Sequence, residues 1–459
     1  MERENAWKKY SDEEIISLEK VCDEYRKFLD KGKTERECVK EIVKLAEKAG
    51  YKDLQKVIAK GKKLKAGDKV YAVNMKKSIL LFQIGNQPLE NGMNILGAHI
   101  DSPRLDVKQN PLYEEAGFAY LDTHYYGGIK KYQWVALPLA IHGVIAKKDG
   151  SIIDVVIGED EKDPVVGVTD LLIHLSGEQM DKKAAKVIEG EQLDILVGSR
   201  PLKEKEKDQV KEGILKLLTD KYEITEEDFL SAELEIVPAG KARNAGIDSS
   251  MIMAYGQDDR VCAYTSLAAM LSVDQPEKTT CCLLVDKEEI GSVGATGMKS
   301  RFFENMVEEV MDRTGAYSEL SLRRCLSNSR MLSSDVSAAF DPSFSGSFEK
   351  KNSAYFGRGM VFNKFTGSRG KASSNDANAE YIAWIRKIMD ENEVAFQTAE
   401  LGKVDAGGGG TIAYILSLYG MEVIDCGVAV LNMHAPWEIT SKADIYETKK
   451  GYEAFLINA

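Results

Sequence analysis

Hydrophobic residues recur at helical spacing in the first fifty residues of the chain. The sequence Ser11-Asp12-Glu13-Glu14 has the form of a capping box, and apolar residues follow it on one helix face. A second capping box has the sequence Thr34-Glu35-Arg36-Glu37, and the apolar series that follows it ends at Gly50. The pattern predicts two helices at the start of the chain.

Apolar runs of strand length alternate with helical patterns over much of the remaining sequence. This alternation predicts an α/β layer architecture. The predicted strands are 69–73, 79–84, 93–98, 279–285, 394–401 and 422–431, and the predicted later helices are 376–390, one beginning near Thr411, and 441–456.

The middle of the chain differs from the rest in composition and in its predicted elements. Residues 106–241 combine β-rich stretches with a Lys/Glu-rich run at 203–208, interpreted as a solvated helix face, and a short acidic helix at 225–229. Paired carboxylates beside a histidine do not recur there. We therefore expect a catalytic domain formed by 1–105 and 242–459, interrupted by an inserted domain at 106–241.

Composition restricts the class of protein. The 459 residues are 44% hydrophobic and 29% charged, and the net charge of −12 argues against nucleic-acid binding. No apolar run reaches the roughly 18 residues of a membrane helix, and the charged N-terminus, residues 1–5, is unlike a secretion signal. The seven cysteines have no CxxC spacing, which favours buried thiols in a reducing cytoplasm.

Two adjacent carboxylates follow the apolar run at 279–285. Side chains one apart on extended chain point to opposite sides, so we expect Glu288 and Glu289 to have different roles. Only five histidines occur in the chain, and two of them, His99 and His434, end predicted strands. Such strand ends are where α/β proteins form their sites.

Histidines and carboxylates at strand ends are the donors that a dinuclear metal site needs. Two imidazoles with three carboxylates suit zinc, cobalt or manganese better than calcium. Singly, each residue has an ordinary explanation: a strand-end histidine can be structural, and Asp258 can cap a helix. The candidate ligands are His99, Asp258, Glu289, Asp335 and His434.

Two further carboxylates have candidate roles beside the ligands. Asp101 could hydrogen-bond His99 and orient it, unless it is only a turn residue before Ser102-Pro103. Glu288 suits a general base that takes a proton from a metal-polarised water and passes it to the leaving amine. The glycine run at 407–410 lacks the lysine of a P-loop and is interpreted as a close backbone turn at the site wall.

Taken in order and spacing, five segments resemble the M18 metallopeptidases, which include the aspartyl aminopeptidases and aminopeptidase I. The resemblance spans nearly the whole chain. Its segments are Gly97-Ala98-His99-Ile100-Asp101-Ser102-Pro103-Arg104-Leu105, Asp258-Asp259-Arg260, Asp286-Lys287-Glu288-Glu289-Ile290-Gly291-Ser292, Ser334-Asp335-Val336 and Met433-His434.

The resemblance implies an α/β zinc-peptidase domain, a mixed sheet flanked by helices, with a smaller inserted β-rich domain and assembly into a dodecamer. It implies that Asp258 bridges two zinc ions and that Glu288 is the base. Glu289 and His434 would complete one coordination sphere, His99 and Asp335 the other, and Asp101 would orient His99.

The resemblance also assigns a role to a histidine of the inserted domain. His174, on the strand-like apolar run 171–175, would reach the active site of a neighbouring subunit. A histidine on such a run could equally be structural.

The chain departs from the M18 pattern at Lys287, at Asp259 and at residues 337–340. These departures remove no candidate ligand. They do mean that a preference for acidic substrates cannot be carried over from the family to this chain. Lys364, Arg369 and Lys371 are candidates to pair with an acidic substrate side chain, although a surface loop is the plainer interpretation.

The sequence thus predicts a cytoplasmic, two-metal aminopeptidase that releases acidic or neutral N-terminal residues from peptides. Two alternatives remain at this stage: a related dinuclear amidohydrolase such as a deacylase or carboxypeptidase, and a non-catalytic peptide-binding scaffold.

Overall fold

The computed structural model describes residues 4–459. Residues 1–3 of the charged N-terminus lie outside the described residues. The chain divides into two compact units. Unit 1 consists of Met1–Asp101, Ala242–Met433 and Glu438–Ala459, and unit 2 of Ser102–Lys241 and His434–Trp437. Unit 2 therefore starts slightly before the predicted boundary at residue 106 and includes a short late segment that contains His434.

The described residues form eleven α-helices, joined by several short 3₁₀ turns. Both predicted N-terminal helices are confirmed, and in each capping box the side chain and the backbone of the first turn bond reciprocally. The helices are α1 (Asp12–Lys31), α2 (Glu35–Lys48), α3 (Leu54–Ala59), α4 (Gly177–Met180), α5 (Gln209–Tyr222), α6 (Gln257–Ser272), α7 (Phe302–Thr314), α8 (Glu319–Ser327), α9 (Ala379–Glu391), α10 (Ala413–Ser417) and α11 (Lys442–Asn458).

The described strands form three sheets. The strands are β1 (Lys52–Asp53), β2 (Lys69–Asn74), β3 (Ser78–Gln83), β4 (Asn94–His99), β5 (Arg104–Glu115), β6 (Phe118–Tyr126), β7 (Leu139–Ala146), β8 (Ile152–Ile157), β9 (Ile195–Gly198), β10 (Ala232–Pro238), β11 (Arg243–Ala245), β12 (Met251–Ala254), β13 (Thr280–Val285), β14 (Arg330–Ser334), β15 (Ser337–Ala338), β16 (Met360–Asn363), β17 (Phe396–Thr398), β18 (Glu422–Gly427), β19 (Ala429–Leu431) and β20 (Glu438–Ser441).

Unit 1 is built on a nine-stranded mixed sheet in the order β1-β2-β3-β13-β4-β14-β18-β16-β17. Its four central strands, β13, β4, β14 and β18, run parallel, so their carboxyl ends meet at one edge. Helices α6 and α11 contribute to the core on one side, and α7, α8 and α10 to the core on the other. The predicted α/β class, a mixed sheet flanked by helices, is confirmed.

The predicted strand at 422–431 is two strands in different sheets. Strand β18 belongs to the nine-stranded sheet, whereas β19 pairs with β15 and β20 in a five-stranded sheet of unit 1. Both strands and Val428 between them are almost wholly buried, and after Asp425 every residue through Leu431 is non-polar, so hydrophobicity alone gives no sign of the change of sheet.

Unit 2 contains a six-stranded antiparallel sheet in the order β8-β7-β10-β5-β6-β9. The Lys/Glu-rich run at 203–208 is not a helix face, because α5 begins only at Gln209. The run 171–175 is not a strand either. It is an exposed segment with a 3₁₀ turn at Ile173–Leu175, and Ile173 is 71% exposed.

Two further observations concern the cysteines and the possibility of a membrane-spanning helix. All seven cysteines are buried free thiols. Among the described residues no helix combines the length and the apolar character needed to cross a membrane.

Candidate metal centre

Three neighbouring parallel strands of unit 1 end in the candidate site residues. His99 is the last residue of β4, Asp335 follows β14, and a 3₁₀ turn at Glu288–Ile290 follows β13. The Nε2 atom of His99 lies 3.9 Å from a Glu288 carboxylate oxygen and 4.0 Å from one of Asp335. These strand ends therefore gather residues that are far apart in sequence.

Asp258 joins this cluster from the start of α6. One of its carboxylate oxygens lies 3.4 Å from His99 Nε2. The helix is preceded by Gly256, which provides no side-chain cap, and Asp258 and Asp259 have non-helical backbone angles inside it. The capping interpretation of Asp258 is therefore wrong: the local backbone departs from the helix and the carboxylate lies beside the histidine.

Asp101 connects β4 to the glutamate turn. Its Oδ1 lies 3.2 Å from Nδ1 of His99, as expected for a carboxylate that orients a ligand. The same carboxylate accepts hydrogen bonds from the backbone N–H groups of Glu288 and Glu289, both at 3.2 Å. Asp101 is wholly buried, so it is more than a turn residue.

The chemistry of the donor set fits divalent transition-metal ions. Three groups of residues have donor atoms within 4.8 Å of one another. One imidazole with several carboxylates in a largely buried cluster matches the ligands that zinc takes in proteins. The groups are His99–Asp258–Glu289, His99–Glu288–Asp335 and Asp258–Asp259–Asp335.

Electrostatics agree with a cation-binding role. Burial raises the pKa of Asp335 well above its usual value, and the neighbouring carboxylates Asp259 and Glu288 raise it further. Burial would lower the pKa of His99, but Asp101 and Asp258 raise it well above its usual value. Like charges this close oppose each other's ionisation, and a bound cation relieves that repulsion.

Glu288 and Glu289 have different neighbours in the cluster. They lie in a 3₁₀ turn rather than on the extended chain that the sequence suggests, because Lys287 before them adopts a left-handed conformation with φ of 69°. Both residues are half-buried, but Glu289 groups with His99 and Asp258, whereas Glu288 groups with His99 and Asp335. The two carboxylates thus still have different surroundings.

His434 belongs to unit 2, unlike the other candidate ligands. Its Nδ1 lies 2.8 Å from the carbonyl oxygen of Gly128 in the same unit. A metal-binding histidine characteristically engages its second ring nitrogen in this way, which fixes the tautomer and leaves Nε2 for the metal. No local sequence pattern indicates Gly128 as this partner.

His174 is exposed on the surface of unit 2. It lines a cavity of about 870 Å³ together with the stacked rings of Tyr113 and Tyr120. Around it, Leu172, Ile173 and Leu175 are more than half exposed. A run of exposed apolar side chains is characteristic of a surface that another protein chain covers.

The glycine run at 407–410 packs against the loop that carries the candidate cationic residues. The N–H of Gly367 donates to the carbonyl of Gly409 at 2.7 Å. In this loop Lys364 and Lys371 both pair with Asp376, the latter at 3.1 Å. One carboxylate balances only one of these two ammonium charges, so the pair keeps a net positive charge.

Several buried polar residues beside the site were not found from the sequence. Glu438 accepts the N–H of Asp258 at 2.9 Å, and its carbonyl accepts from Gln257 at 2.7 Å. Asp259 accepts the N–H of His99 at 3.4 Å. The only available signal for Glu438 was a carboxylate beside an apolar strand sequence, which is too common to be selective.

Comparisons with known proteins are consistent across sequence and structure. The family model described as "Aminopeptidase I zinc metalloprotease (M18)" matches residues 28–456. A protein from Clostridium acetobutylicum described as "Probable M18 family aminopeptidase 1" is 64% identical over 458 residues, which cover 100% of this chain and 98% of the relative.

Solved structures extend these matches. The crystal structure of an M18-family aminopeptidase from Thermotoga maritima is similar with a TM-score of 0.95 and 45% identity, covering all of both chains. A more distant structure, the dodecamer of S. cerevisiae mApe1, has a TM-score of 0.76 at 21% identity and covers 95% of this chain and 96% of its own. That last likeness concerns the fold alone.

Proposed function

We propose, since this chain belongs to the M18 family of zinc metalloproteases and is an aminopeptidase, that its catalytic centre holds two metal ions. The observation that carries this proposal is the cluster of His99 and Asp335, at adjoining strand ends, with Asp258 at the start of α6. His99, Asp258 and Asp335 each occur in two of the ligand groups of this cluster. A carboxylate shared between two groups is what a bridged pair of ions requires.

The proposed ligand set is the one that the M18 resemblance implies, with His434 added to the residues of the cluster. Asp258 would bridge the two ions, His99 and Asp335 would hold one ion, and Glu289 and His434 would hold the other. Zinc is the expected metal, with cobalt or manganese as substitutes. The Gly128 carbonyl would orient His434, as Asp101 would orient His99.

Glu288 is the proposed general base. Its side chain is more exposed than those of His99 and Asp258, so a water molecule and the substrate can reach it. When bound, the metal ions polarise the scissile carbonyl and lower the pKa of the attacking water. Glu288 takes the proton from that water and delivers it to the leaving amine. Glu289, whose donor atom lies within reach of those of His99 and Asp258, is the proposed ligand.

Selectivity for the amino end of a peptide follows from the excess of carboxylates. A protonated substrate amine is stabilised beside such a cluster, whereas an acetylated amine carries no charge to stabilise. Lys364 and Lys371 share the single carboxylate of Asp376, so one positive charge of the pair remains for an acidic substrate side chain. We therefore expect acidic as well as neutral N-terminal residues to be substrates.

Assembly is the proposed setting of the reaction. The exposed apolar residues around His174 would lie against a neighbouring copy, where the histidine would contribute to that copy's site. A homo-oligomer is consistent with the dodecamer known for the distant relative. The seven buried free thiols accord with a reducing, cytoplasmic environment.

The direct test is hydrolysis of aminoacyl-p-nitroanilides of Asp, Glu, Leu and Lys and of acetyl-Leu, with and without chelator. We expect chelator-sensitive cleavage of the four substrates with an unblocked amine, and the ratio of the Asp rate to the Leu rate measures the preference of the substrate pocket. Cleavage of the acetylated substrate would instead favour the amidohydrolase alternative, and cleavage that ignores the chelator would contradict the metal mechanism.

Glu288→Gln tests the base. We expect kcat to fall by a factor of about 10²–10⁴ with unchanged metal content, because the amide cannot accept the proton. The exposed Glu277→Gln is the matched control and should retain full activity. A Glu288→Gln enzyme that keeps its kcat, or loses its metal, would contradict the assignment.

A further inference from the structure

An apolar cavity lies between helix α5 and the six-stranded sheet of unit 2, away from every residue assigned a role above, and it opens to solvent beside Val165 and Leu217, which are more than half exposed. Its volume is about 460 Å³. Helix α5 forms one wall and four or more strands of the six-stranded sheet contribute to the rest. Leu121, Ile145, Val155, Phe229 and Leu234 line it, and each is at most 4% exposed.

This volume is sufficient for a small organic ligand. A cavity of about 150 Å³ already binds benzene. The cavity of unit 2 has about three times that volume, and sites for small organic ligands begin at about 300 Å³. It therefore has room for an aliphatic chain of about ten to twelve carbon atoms.

The end of α5 gives the cavity one charged wall. Lys221 and Asp220 are among its lining residues. Asp220 is already paired with Lys216 at 2.8 Å, one turn earlier on the helix. Lys221 contacts the Tyr222 ring at 5.2 Å and has no ion pair among residues 4–459. Because the Asp220 carboxylate already has a partner, the Lys221 ammonium at this largely apolar cavity is complementary to an anionic head group on an apolar chain.

The wall that carries Lys221 is held in place. The Tyr222 hydroxyl donates to the carbonyl of Val156 on β8 at 3.0 Å. Lys147, at the end of β7, donates to the carbonyl of Glu223 at 2.7 Å. These two bonds attach the C-terminal end of α5 to the sheet, so the cavity is preformed, as ligand sites commonly are.

We infer that unit 2 binds one medium-chain fatty acid, with its chain in the apolar cavity and its carboxylate at Lys221. The apolar lining supplies the affinity, because each methylene group transferred from water contributes favourably. The single cation supplies the preference for a carboxylate over a neutral head group. Neither feature depends on the metal centre, so the inference is independent of the proposed peptidase mechanism.

Calorimetric titration of the full-length protein with dodecanoate, below its micelle concentration, tests this inference. We expect saturable binding of one molecule per chain, and weaker binding of dodecanol. Leu218→Trp, on the half-buried face of α5 that lines the cavity, should fill the space and weaken dodecanoate binding at least tenfold. Its aminopeptidase activity should be unchanged.

Lys221→Gln separates the head group from the chain. This variant should bind dodecanoate about tenfold more weakly and dodecanol as well as the parent protein does. Lys207→Gln, an exposed lysine of the same unit, is the matched control for the loss of one charge and should bind normally.

Three outcomes would overturn the inference. The first is no saturable binding by the parent protein. The second is several molecules bound per chain with no effect of Leu218→Trp, which indicates adsorption to exposed apolar surface. The third is binding that requires prior dissociation of subunits, which would make this face a contact between copies of the chain.

Discussion

Single buried carboxylates in this protein hold more than one backbone segment in place, and Asp101 is the clearest case. It contacts the His99 ring with one oxygen and, through both oxygens, the N–H groups of the turn that presents Glu288 and Glu289. Glu438 acts similarly on the N–H of Asp258. The ligand geometry thus depends on residues that need not touch a metal ion themselves.

Asp101→Asn should weaken metal binding without unfolding the protein. The amide oxygen of asparagine can accept the hydrogen bonds made to one carboxylate oxygen of Asp101. Its NH₂ group cannot accept those made to the other oxygen, because it faces an N–H donor or the His99 ring. Loss of such a supporting carboxylate typically costs a factor of 10–100 in metal affinity. Zinc titration against a chelator of known affinity measures the change. The exposed Asp274→Asn should bind zinc as the parent does, and equal affinities in the two variants would contradict the role.

Asp425 is a buried carboxylate that serves no proposed catalytic step. Burial raises its pKa to about 7, although a hydrogen bond from Thr411 works in the opposite direction. Because the folded-state pKa lies above the unfolded value near 4, the folded chain binds the proton more tightly. The stability that Asp425 contributes is complete below about pH 4 and is lost as the pH rises to about 7.

Asp425→Asn should remove this pH dependence. The amide oxygen can still accept from Thr411, and no charge is created at high pH. The variant should therefore gain stability relative to the parent between pH 5 and pH 8, by up to roughly 4 kcal/mol from the shift in pKa. Unfolding midpoints of both proteins across this range measure it. The exposed Asp405→Asn is the control, and a constant difference between Asp425→Asn and the parent would contradict the prediction.

At the scale of elements, the ends of the parallel strands bring the candidate site residues together. The glycine run at 407–410 lies beside these strands. Ile412, at the end of this loop, lies 3.4 Å from the position a Cβ would take on Gly97, two residues before His99. Thr411 bonds to Asp425 on β18. The glycine loop therefore packs against the strands that carry the ligands.

Gly408→Ala should disturb this loop, and Gly410→Ala should not. A Cβ on Gly408 would lie 1.8 Å from the carbonyl oxygen of Gly367, and its φ of 113° disfavours other residues. A Cβ on Gly410 would meet no atom within 4 Å. We expect Gly408→Ala to raise KM and the rate of proteolysis within residues 364–410. Equal behaviour of the two variants would show that the loop does not form part of the site wall.

At the scale of the whole molecule, the candidate residues are divided between two units. His99, Asp258, Glu288, Glu289 and Asp335 belong to unit 1, whereas His434 and His174 belong to unit 2. The apolar surface around His174 is exposed in the single chain. Activity is therefore expected to depend on the assembled protein.

Mixing two inactive variants tests whether His174 acts on a neighbouring copy. Glu288→Gln and His174→Ala should each be nearly inactive as pure assemblies. When the two are dissociated and reassembled together, some sites combine an intact Glu288 with His174 from the other variant, so activity should return. If His174 acts only within its own chain, the mixture will never exceed the activity of its parts.

The local elements and the identity of most candidate ligands could be predicted from the sequence. The capping boxes of α1 and α2 are formed within four residues, and the strand runs are defined by their own apolar side chains. Predictions from the sequence were wrong where the local structure depends on contacts with residues far away in the chain. The change of sheet between β18 and β19 and the exposed turn at His174 are examples.

The sequence by itself determined the α/β class, the order of the strands along the chain and the residue types of the metal centre, because these depend on side-chain chemistry and short-range periodicity. Only the tertiary structure decided which residues meet. The contacts of Asp101 with the glutamate turn, of Glu438 with Asp258, and of His434 with Gly128 join positions between about 180 and 310 residues apart. The apolar cavity of unit 2 likewise arises from the packing of one helix against several strands. No local pattern records such contacts, since their energy arises only when the folded chain has excluded water from between them.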